Sequence, residues 1–389
     1  MKTIFAISSK YYMNRGEVWT TTSYNNDMWR EYLQNFSGIY VLAPIIEVDQ
    51  LPKGCKLATM SNVKFVDSSA LHKKELSGIA RLFRAVKEIV RSVDCGILHS
   101  PCFEAELAYR ALKKYKKPYI VENRGEQSMH AGFLKAKHLP FPKTIASVFK
   151  KMHLNHLEKS YGCIYVSETL RERYYPKNTI QSAVISDLRL PDHFIKEARE
   201  WGTSPHVFKI INVGNLSPYK DQATLLRAIK VLKEKGINNI ELHLVGKGPL
   251  KEELQRQAEQ MNIRDNVIFH GFVPWGEELF SLYDKSDLFV LSSLTEGMPR
   301  VVLESLARGL PVVSTEVSGS IEVLPEQCIV PVGDYKELAN TISKLVNSPD
   351  TLTQLSQEGI KMMQSFTETR LLKRKVKFFS EFRELVGGN

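Results

Sequence analysis

Short apolar segments with the composition of β-strands alternate with longer helical segments along nearly the whole chain of 389 residues. A helix between two consecutive strands brings them side by side in parallel, so this alternation predicts α/β architecture with parallel sheets covered on both faces. Helices are expected between the strands, for instance at residues 79–93 and 104–114. The predicted strands are residues 3–7, 39–42, 63–66, 96–99, 119–121, 163–166, 183–185, 209–213, 241–245, 267–269, 288–291, 312–314 and 329–330.

A polar stretch at residues 193–207 interrupts the alternation, and its segment 201–205, WGTSP, has the composition of a linker. The chain length suits two or three domains. We therefore predict two Rossmann-like domains at residues 1–195 and 206–365, followed by a last helix at residues 366–389.

Composition excludes several classes of protein. The five cysteines are scattered and form no C-x-x-C pair, which argues against a zinc site or a disulfide framework and favours a reducing compartment. The N-terminus turns polar too soon for a signal peptide, and no apolar run approaches the ~20 residues that span a bilayer. We therefore expect a cytoplasmic protein.

The formal net charge of +10 indicates attraction to an acidic surface or a simple solubility feature. No nucleic-acid-binding motif accompanies the charge, so nucleic acid is not expected as a partner. Residues 132–159 interleave lysines with large apolar side chains. This stretch predicts either a helix on an anionic membrane surface or a solvated helix whose apolar stripe packs in the core.

The most informative segment is TEGMPRVVLESLARGLPVVST at residues 295–315. It predicts a turn and a helix between two strands, and ligands bind where strand C-termini meet helix N-termini. Gly297 allows a sharp turn, and Pro299 suits the first turn of a helix. Free backbone N–H groups there would face an anion. These groups belong to Met298, Arg300 and Val301.

Two glutamates bracket this turn, and each has a structural and a functional interpretation. Glu304 sits in an otherwise apolar helix, so it needs a partner, either Arg308 or Arg300 as a helix ion pair or the vicinal hydroxyls of a ribose. Glu296 could simply favour the helix N-terminus electrostatically. The two together, with Gly297, favour a binding function.

The E-x7-E pair of Glu296 and Glu304 resembles the signature of retaining glycosyltransferases with the GT-B fold, family GT4. Other segments resemble that family and follow in its order across most of residues 208–338. They are VGNLSPYKD at 213–221, HLVGKGP at 243–249, VIFHGFV at 267–273, SDLFVLSS at 286–293, GLPVVST at 309–315 and VSGSIEVLP at 317–325.

The resemblance implies two Rossmann-like domains that face each other across a cleft, the second holding a nucleotide-sugar donor. Lys220 would stabilise the leaving diphosphate, Glu296 would hold the sugar and Glu304 the ribose. No Asp-x-Asp pair is present, so neither a metal nor a cofactor is expected, and transfer would retain configuration. The donor-binding residues implied are Gly214, Asn215, Lys220, Gly246, Gly297, Met298, Pro299, Arg300 and Glu304.

The chain departs from the family at two places. Asn215 stands where the family has an arginine, so either Lys220 and the helix N-terminus suffice or another cation, with Arg300 the nearest candidate, replaces it. Arg300 could equally pair with Glu304. The first domain lacks the family's glycine-rich loop and its histidine. The candidates for the acceptor and sugar side are Gly16, Glu122, Asn123 and His130, while His99 is expected to be a satisfied strand-end residue.

In this family the last helix crosses back to the first domain, and we expect the same here. The resemblance implies a glycan or lipid-linked acceptor and a role in bacterial surface polysaccharide synthesis, at the inner face of the membrane. Two alternatives stay open. One is a nucleotide-sugar epimerase or hydrolase of the same fold, and the other is a nucleotide-sugar-binding subunit without catalysis.

Overall fold

The computed structural model describes residues 1–73, 75–126, 141–174, 181–203 and 206–387, and the elements below are numbered within these residues. His130 and residues 132–140 of the basic and apolar stretch therefore lie outside the described residues. None of the described helices is long and apolar enough to cross a membrane.

The first half is built around a parallel sheet of seven strands, in the order β11-β10-β9-β8-β1-β4-β7. The strands at residues 95–99, 119–123 and 162–165 are almost wholly buried because helices cover both faces, whereas the edge strands at residues 63–67 and 181–184 are only partly buried. The strands of this half are β1 (Lys2–Ala6), β2 (Tyr11–Asn14), β3 (Glu17–Thr20), β4 (Gly38–Ala43), β5 (Ile45–Glu47), β6 (Lys56–Leu57), β7 (Val63–Asp67), β8 (Cys95–His99), β9 (Tyr119–Asn123), β10 (Gly162–Tyr165) and β11 (Gln181–Val184).

Helices between these strands bury one apolar stripe each. In the third helix, for example, Leu82, Val86 and Val90 recur every four residues and are buried. The helices are α1 (Asn26–Leu33), α2 (Ser69–Lys73), α3 (Leu76–Ser92), α4 (Phe103–Lys114), α5 (Pro142–Glu158) and α6 (Glu168–Tyr174).

A second, smaller sheet in this half was not predicted from the sequence. Its order is β5-β2-β3-β6, and β2 and β3 form an antiparallel hairpin. Arg15 and Gly16 make the turn, both with positive φ. These strands have two to four residues each, so a search for alternating strands and helices overlooks them.

The second half contains a parallel sheet of six strands in the order β14-β13-β12-β15-β16-β17. The strands are β12 (Phe208–Val213), β13 (Ile240–Val245), β14 (Val267–Gly271), β15 (Leu288–Leu291), β16 (Val312–Thr315) and β17 (Ile329–Val330). The helices are α7 (Gln222–Glu234), α8 (Lys251–Gln260), α9 (Glu277–Asp284), α10 (Arg300–Ala307), α11 (Ser320–Val323), α12 (Tyr335–Val346), α13 (Pro349–Met363) and α14 (Glu368–Gly387).

Each of the thirteen predicted strands coincides with an observed one to within two residues at either end, and both main sheets are parallel as predicted. The last helix, α14, packs on the first half of the chain. Phe379 contacts the rings of Tyr32 and Phe36, with centroids 5.5 and 5.3 Å away. Gln181 Nε2 donates to the Phe378 carbonyl over 3.1 Å. The domain boundaries at residues 195 and 206 stay a prediction, with one main sheet on either side of them.

Candidate active site

Two glycine turns follow the adjacent strands β12 and β13. Gly214 and Gly246 come directly after these strands, and a Cβ on Gly246 would lie 1.9 Å from the Gly214 carbonyl oxygen. Gly246 also has a φ of +144°, which side chains rarely adopt. A residue with a side chain at Gly246 would therefore push the two turns apart, so the glycine is required for the shape of this strand edge.

Lys220 and Glu296, the two predicted catalytic residues, are in direct contact. Lys220 Nζ lies 2.5 Å from Glu296 Oε1, and Ser293 Oγ donates to the same oxygen over 2.7 Å. Lys220 precedes α7 instead of starting it, since Asp221 caps that helix. Both side chains are mostly buried, so a cation and a carboxylate are held together at the end of the sheet with little screening by water.

Glu304 is buried, but its partners differ from the predicted ones. Its two oxygens accept hydrogen bonds from Trp275 Nε1 and the Tyr283 hydroxyl, each over 3.2 Å. The ion pair with Arg308, one of the structural alternatives for Glu304, does not form, because Arg308 binds Asp284 with two nitrogens at 2.8 and 2.5 Å. Burial raises the pKa of the Glu304 carboxyl. Each oxygen keeps a free lone pair, so the carboxylate can still accept two hydroxyls.

Arg300 is the first residue of α10 and its side chain is exposed at the cleft. The carboxylate with the largest influence on it is Asp187 of the first half, which raises the pKa of the guanidinium more than Glu304 does. Arg300 is also the charge that most lowers the pKa of Glu304, but no ion-pair contact between the two side chains occurs among the described residues. Arg300 stays available to an anion that enters the cleft.

The turn between β15 and α10 fits tightly against its surroundings. A Cβ on Gly297 would lie 2.7 Å from the Arg124 carbonyl oxygen of the first half. Met298 is buried, and Pro299 is the N-cap residue of α10. The helix thus begins one residue later than its first-turn proline predicts, and its first N–H groups have no partner within the helix.

Glu122 on the first-half side is fully engaged by other protein groups. It accepts hydrogen bonds from the Tyr32 hydroxyl, from His99 Nε2 over 2.7 Å and from Arg124 Nη2 over 2.9 Å. Burial opposes ionisation, yet Arg124 and His99 hold the pKa of Glu122 well below its usual range. The structure thus gives Glu122 the role of organising the cleft wall, and its predicted contact with the sugar is not supported.

His99 behaves as the predicted strand-end residue. Besides Glu122, its ring binds the Tyr24 hydroxyl over 2.9 Å. Burial lowers the pKa of His99 to about 4, so the ring is neutral at physiological pH. Arg124, Asp187 and Lys375 of α14 line a cavity of about 50 Å³. Burial lowers the pKa of Lys375 to about 8.

The remaining first-half candidates give less. Asn123 is buried at the end of β9, and its Oδ1 accepts from Gly125 N over 3.4 Å. Gly16 lies in the β2–β3 hairpin turn instead of a loop directly after β1, so the premise for choosing it is wrong. His130 lies outside the described residues. Asn215 is exposed, and its carbonyl accepts from Gln222 Nε2 over 3.2 Å.

Four residues of the site were missed by sequence reasoning, namely Trp275, Tyr283, Asp187 and Arg124. Each contributes a polar atom from a different element, and none shares a short motif with the glutamates. The only sequence signal for Trp275 and Tyr283 is that each is an aromatic residue with a hydrogen-bond donor, in α9 or the loop before it. This signal does not indicate a partner of Glu304 until α9 is known to pack beside α10. Among the described residues, no group of three metal-ligating side chains occurs.

Residues 194–362 match the family model described as glycosyl transferases group 1. Over these residues, in the second half of the chain, the protein is similar to that family. The matched region contains Lys220 and Glu296, which are in contact, and the buried Glu304 of α10.

Relatives of the chain include Protein CapJ of Staphylococcus aureus, 25% identical over 343 residues that cover 87% of this chain and 83% of CapJ. The putative glycosyltransferase EpsD of Bacillus subtilis is 30% identical over 181 residues, which are 46% of each chain. The amylovoran biosynthesis glycosyltransferase AmsK of Erwinia amylovora is 32% identical over 164 residues, 40% of this chain and 39% of AmsK. Two of these three matches thus span less than half of the relative.

The fold is also that of solved glycosyltransferase structures. The crystal structure of Anabaena Alr3699/HepE in complex with UDP has a TM-score of 0.68 at 16% identity and covers 98% of this chain and 100% of that one. The crystal structure of S. aureus TarM in complex with UDP and other ligands has a TM-score of 0.58 at 15% identity, over 77% of this chain and 59% of that one. The protein therefore has the GT-B fold of two Rossmann-like halves that face each other.

Proposed function

We propose that this protein is a glycosyltransferase that moves a sugar, with retention of configuration and without a metal, from a nucleoside-diphosphate sugar to a glycan or lipid-linked acceptor. The observation that carries the proposal is the contact of Lys220, which follows β12, with Glu296. Glu296 in turn precedes the buried Glu304 by eight residues. UDP-sugars are the first donors to test, because structures of similar fold contain UDP and UDP-glucose.

Recognition of the nucleoside is assigned to Glu304. Its oxygens are fixed by Trp275 and Tyr283, and a carboxylate held in place accepts vicinal ribose hydroxyls without reorganisation. Burial strengthens such bonds, since water does not compete for the carboxylate. The raised pKa of Glu304 means that this recognition weakens on acidification, when the carboxyl takes up a proton.

The diphosphate is assigned to Lys220, the glycine turns and the start of α10. Departure of the diphosphate develops negative charge on oxygen, and a preorganised cation with free amide N–H groups stabilises that charge in the transition state. Arg300 lies at the same helix start and supplies a second cation where Asn215 has none. Glu296 would then exchange part of its contact with Lys220 for hydroxyl groups of the sugar.

Retention follows from geometry in the proposed reaction. No additional carboxylate stands beside Glu296 as a separate nucleophile among the described residues, so we propose that the acceptor attacks from the side the diphosphate leaves. The leaving phosphate oxygen would take the proton of the acceptor hydroxyl. Charge on the diphosphate is balanced by Lys220 and Arg300, so the proposal needs no metal ion.

The decisive experiment incubates the protein with UDP-, GDP-, ADP- and TDP-sugars and candidate glycan or lipid-linked acceptors, and follows products by mass spectrometry. Transfer that persists in excess EDTA and gives the donor's anomeric configuration by NMR supports the proposal. Lys220→Ala should abolish most turnover, whereas Lys230→Ala, an exposed lysine of α7, is the matched control.

The alternatives have distinct outcomes in the same experiment. Isomerisation or hydrolysis of the donor without an acceptor would indicate the epimerase or hydrolase. Nucleotide-sugar binding without turnover on every acceptor would indicate the binding subunit. Complete loss of transfer in EDTA, restored by Mn²⁺, would refute metal independence, and an inverted product would refute retention.

We further propose a role in bacterial surface polysaccharide synthesis at the inner face of the membrane, supported by the relatives named for amylovoran and colanic acid biosynthesis. Helix α5 exposes apolar side chains beside lysines at positions 143, 150 and 151, which fits an anionic membrane surface. The exposed apolar residues around it are Phe141 at 78%, Val148 at 60%, Phe103 at 53% and Leu154 at 37%.

Sedimentation with liposomes tests the membrane contact. Vesicles with anionic lipid should bind the protein, and binding should weaken with salt, because surface charges are screened within ~8 Å at physiological ionic strength. Replacing Phe141 and Val148 by serine should lower binding, while Ile268→Ser, an exposed apolar residue of β14, should not. Equal binding to neutral vesicles, or no binding to either, would remove the membrane from the proposal.

A further inference from the structure

A carboxylate of the second half covers the start of a helix in the first half. The two Oε atoms of Glu322 accept hydrogen bonds from the backbone N–H groups of Glu168, over 2.9 Å, and Thr169, over 2.7 Å. These are the first two residues of α6, whose N–H groups have no partner within the helix. The contact joins residues more than 150 positions apart and connects the two halves directly.

A second contact between the halves lies at the other end of α6. Ser318 Oγ donates to Glu126 Oε1 over 2.6 Å. Glu126 also binds Arg173 and accepts from the Tyr174 hydroxyl over 3.1 Å, both in the last turn of α6. The segment from Ser318 to Glu322 thus touches α6 and its neighbouring loop through polar groups at both ends.

This segment also supports the turn that follows β15. A Cβ on Gly319 would lie 2.6 Å from the Met298 Cα, so the backbones pack closely there. Gly297 is packed on its other side against the Arg124 carbonyl oxygen and the Gly125 Cα. The turn assigned to the donor is therefore enclosed between the Gly319 backbone and the first half.

We propose that Glu322 is a positioning residue that holds the two halves closed around the turn at Gly297–Pro299. Its carboxylate makes two charge-assisted hydrogen bonds that exist only when the halves meet, and such bonds are stronger than those between neutral groups. Closure brings the first half against the turn that would hold the sugar and diphosphate. The inference rests on the proposed transfer reaction for its consequence, but the closure itself is measurable without any substrate.

The two N–H donors allow a matched set of variants. Glu322→Ala removes both acceptors, and Glu322→Gln keeps an uncharged oxygen. Glu168→Pro removes one donor and leaves α6 intact, because proline is well tolerated at the first helical position. Two variants are the controls. Glu168→Ala keeps the backbone N–H, and Glu326→Ala replaces an exposed glutamate close to Glu322 in sequence.

Closure is measured by pulsed dipolar spectroscopy between spin labels at Glu88→Cys on α3 and Lys344→Cys on α12, both exposed, in a Cys55→Ser background without nucleotide. Glu322→Ala and Glu168→Pro should broaden the distance distribution and lengthen its mean. Glu322→Gln should lie between wild type and alanine. The double variant Glu322→Ala with Glu168→Pro should be no more open than Glu322→Ala alone, because both changes remove the same contact.

The second measurement separates binding from turnover. By calorimetry, Glu322→Ala should bind UDP with an affinity within about two-fold of wild type, because the nucleotide contacts the second half. Its kcat for sugar transfer should fall roughly ten-fold, the order expected when one charge-assisted contact no longer stabilises the closed state. Glu326→Ala and Glu168→Ala should change neither quantity.

An unchanged distance distribution in Glu322→Ala would overturn the proposal, whether or not transfer is found. Loss of UDP affinity in step with kcat would also overturn it, since Glu322 would then shape the nucleotide site itself. A more open Glu322→Ala protein with no transfer on any acceptor would leave closure established and would instead contradict the proposed reaction.

Discussion

The hydroxyl of Tyr283 offers the sharpest test of how Glu304 is kept ready for a nucleotide. Tyr283→Phe removes only the hydrogen bond of 3.2 Å to Glu304 Oε2 and keeps the ring that packs beside Phe280 and Phe289. A hydrogen bond to a charged group contributes ~1.5–3 kcal/mol. The loss should therefore destabilise the ionised form of Glu304 by about that amount and raise the pKa of its carboxyl beyond its already raised value.

The sign of the pH effect follows from which form of Glu304 binds. Only the ionised carboxylate accepts two ribose hydroxyls, so UDP affinity should fall as pH drops through the pKa of Glu304. In Tyr283→Phe this fall should occur at a higher pH than in wild type, while affinity well above that range should approach that of wild type. Calorimetry with UDP from pH 5.5 to 9 measures both curves.

Two controls make this prediction refutable. Glu304→Gln should bind UDP weakly and with no such pH dependence, whether or not Tyr283 is present. Tyr335→Phe, a partly buried tyrosine of α12, should follow wild type. If Tyr283→Phe lowers affinity equally at every pH, the tyrosine acts through shape, and if it changes nothing, Glu304 is not the group that binds the ribose.

Three further predictions concern single residues of the second half. Lys220→Ala should lower kcat by on the order of 10²-fold, the scale for one preorganised electrostatic group, and near-normal turnover in a steady-state assay would exclude its role at the diphosphate. Gly246→Ala should destabilise the protein by roughly 1–3 kcal/mol in urea unfolding, because its Cβ would overlap the Gly214 carbonyl. The control Gly236→Ala, also at positive φ but with open space around it, should cost ~1 kcal/mol. Equal losses of stability in the two variants would disprove the steric reason. Arg308→Ala should cost ~3–5 kcal/mol, since it leaves Asp284 poorly compensated, whereas Lys196→Ala, a more exposed partner of the same carboxylate, should cost no more than about 1 kcal/mol.

The sequence predicted the framework because parallel strands buried on both faces leave a local signature. The run 288–291 is apolar throughout, and the run 209–213 has apolar residues at three of its five positions, so each strand is visible without knowledge of its neighbours. The small sheet was missed because its hairpin at Arg15 and Gly16 joins short strands with mixed polarity. Its existence depends on pairing with β5 and β6, which lie 25 or more residues further along the chain.

The candidate site divides in the same way. Lys220, Glu296 and Glu304 were visible in the sequence because their spacing within short motifs reflects the strand–turn–helix geometry around them. The partners of these residues were not visible in the sequence. Arg300 and Arg308, each one helical turn from Glu304, were the arginine partners considered for it, but Trp275 donates to Glu304 and Arg308 binds Asp284 instead.

By itself, then, the sequence determined the two parallel sheets, the turns between strand and helix, and the acidic and basic residues at those turns, because each depends on residues close together in the chain. Only the tertiary structure decided which groups meet. Trp275 and Tyr283 reach Glu304 because α9 packs beside α10, and Glu122 is occupied because α1, β8 and β9 converge on it. Glu322 reaches α6 across more than 150 residues only once both halves have folded and come together. Contacts of this kind depend on the relative placement of separate elements, which no local pattern of residues records.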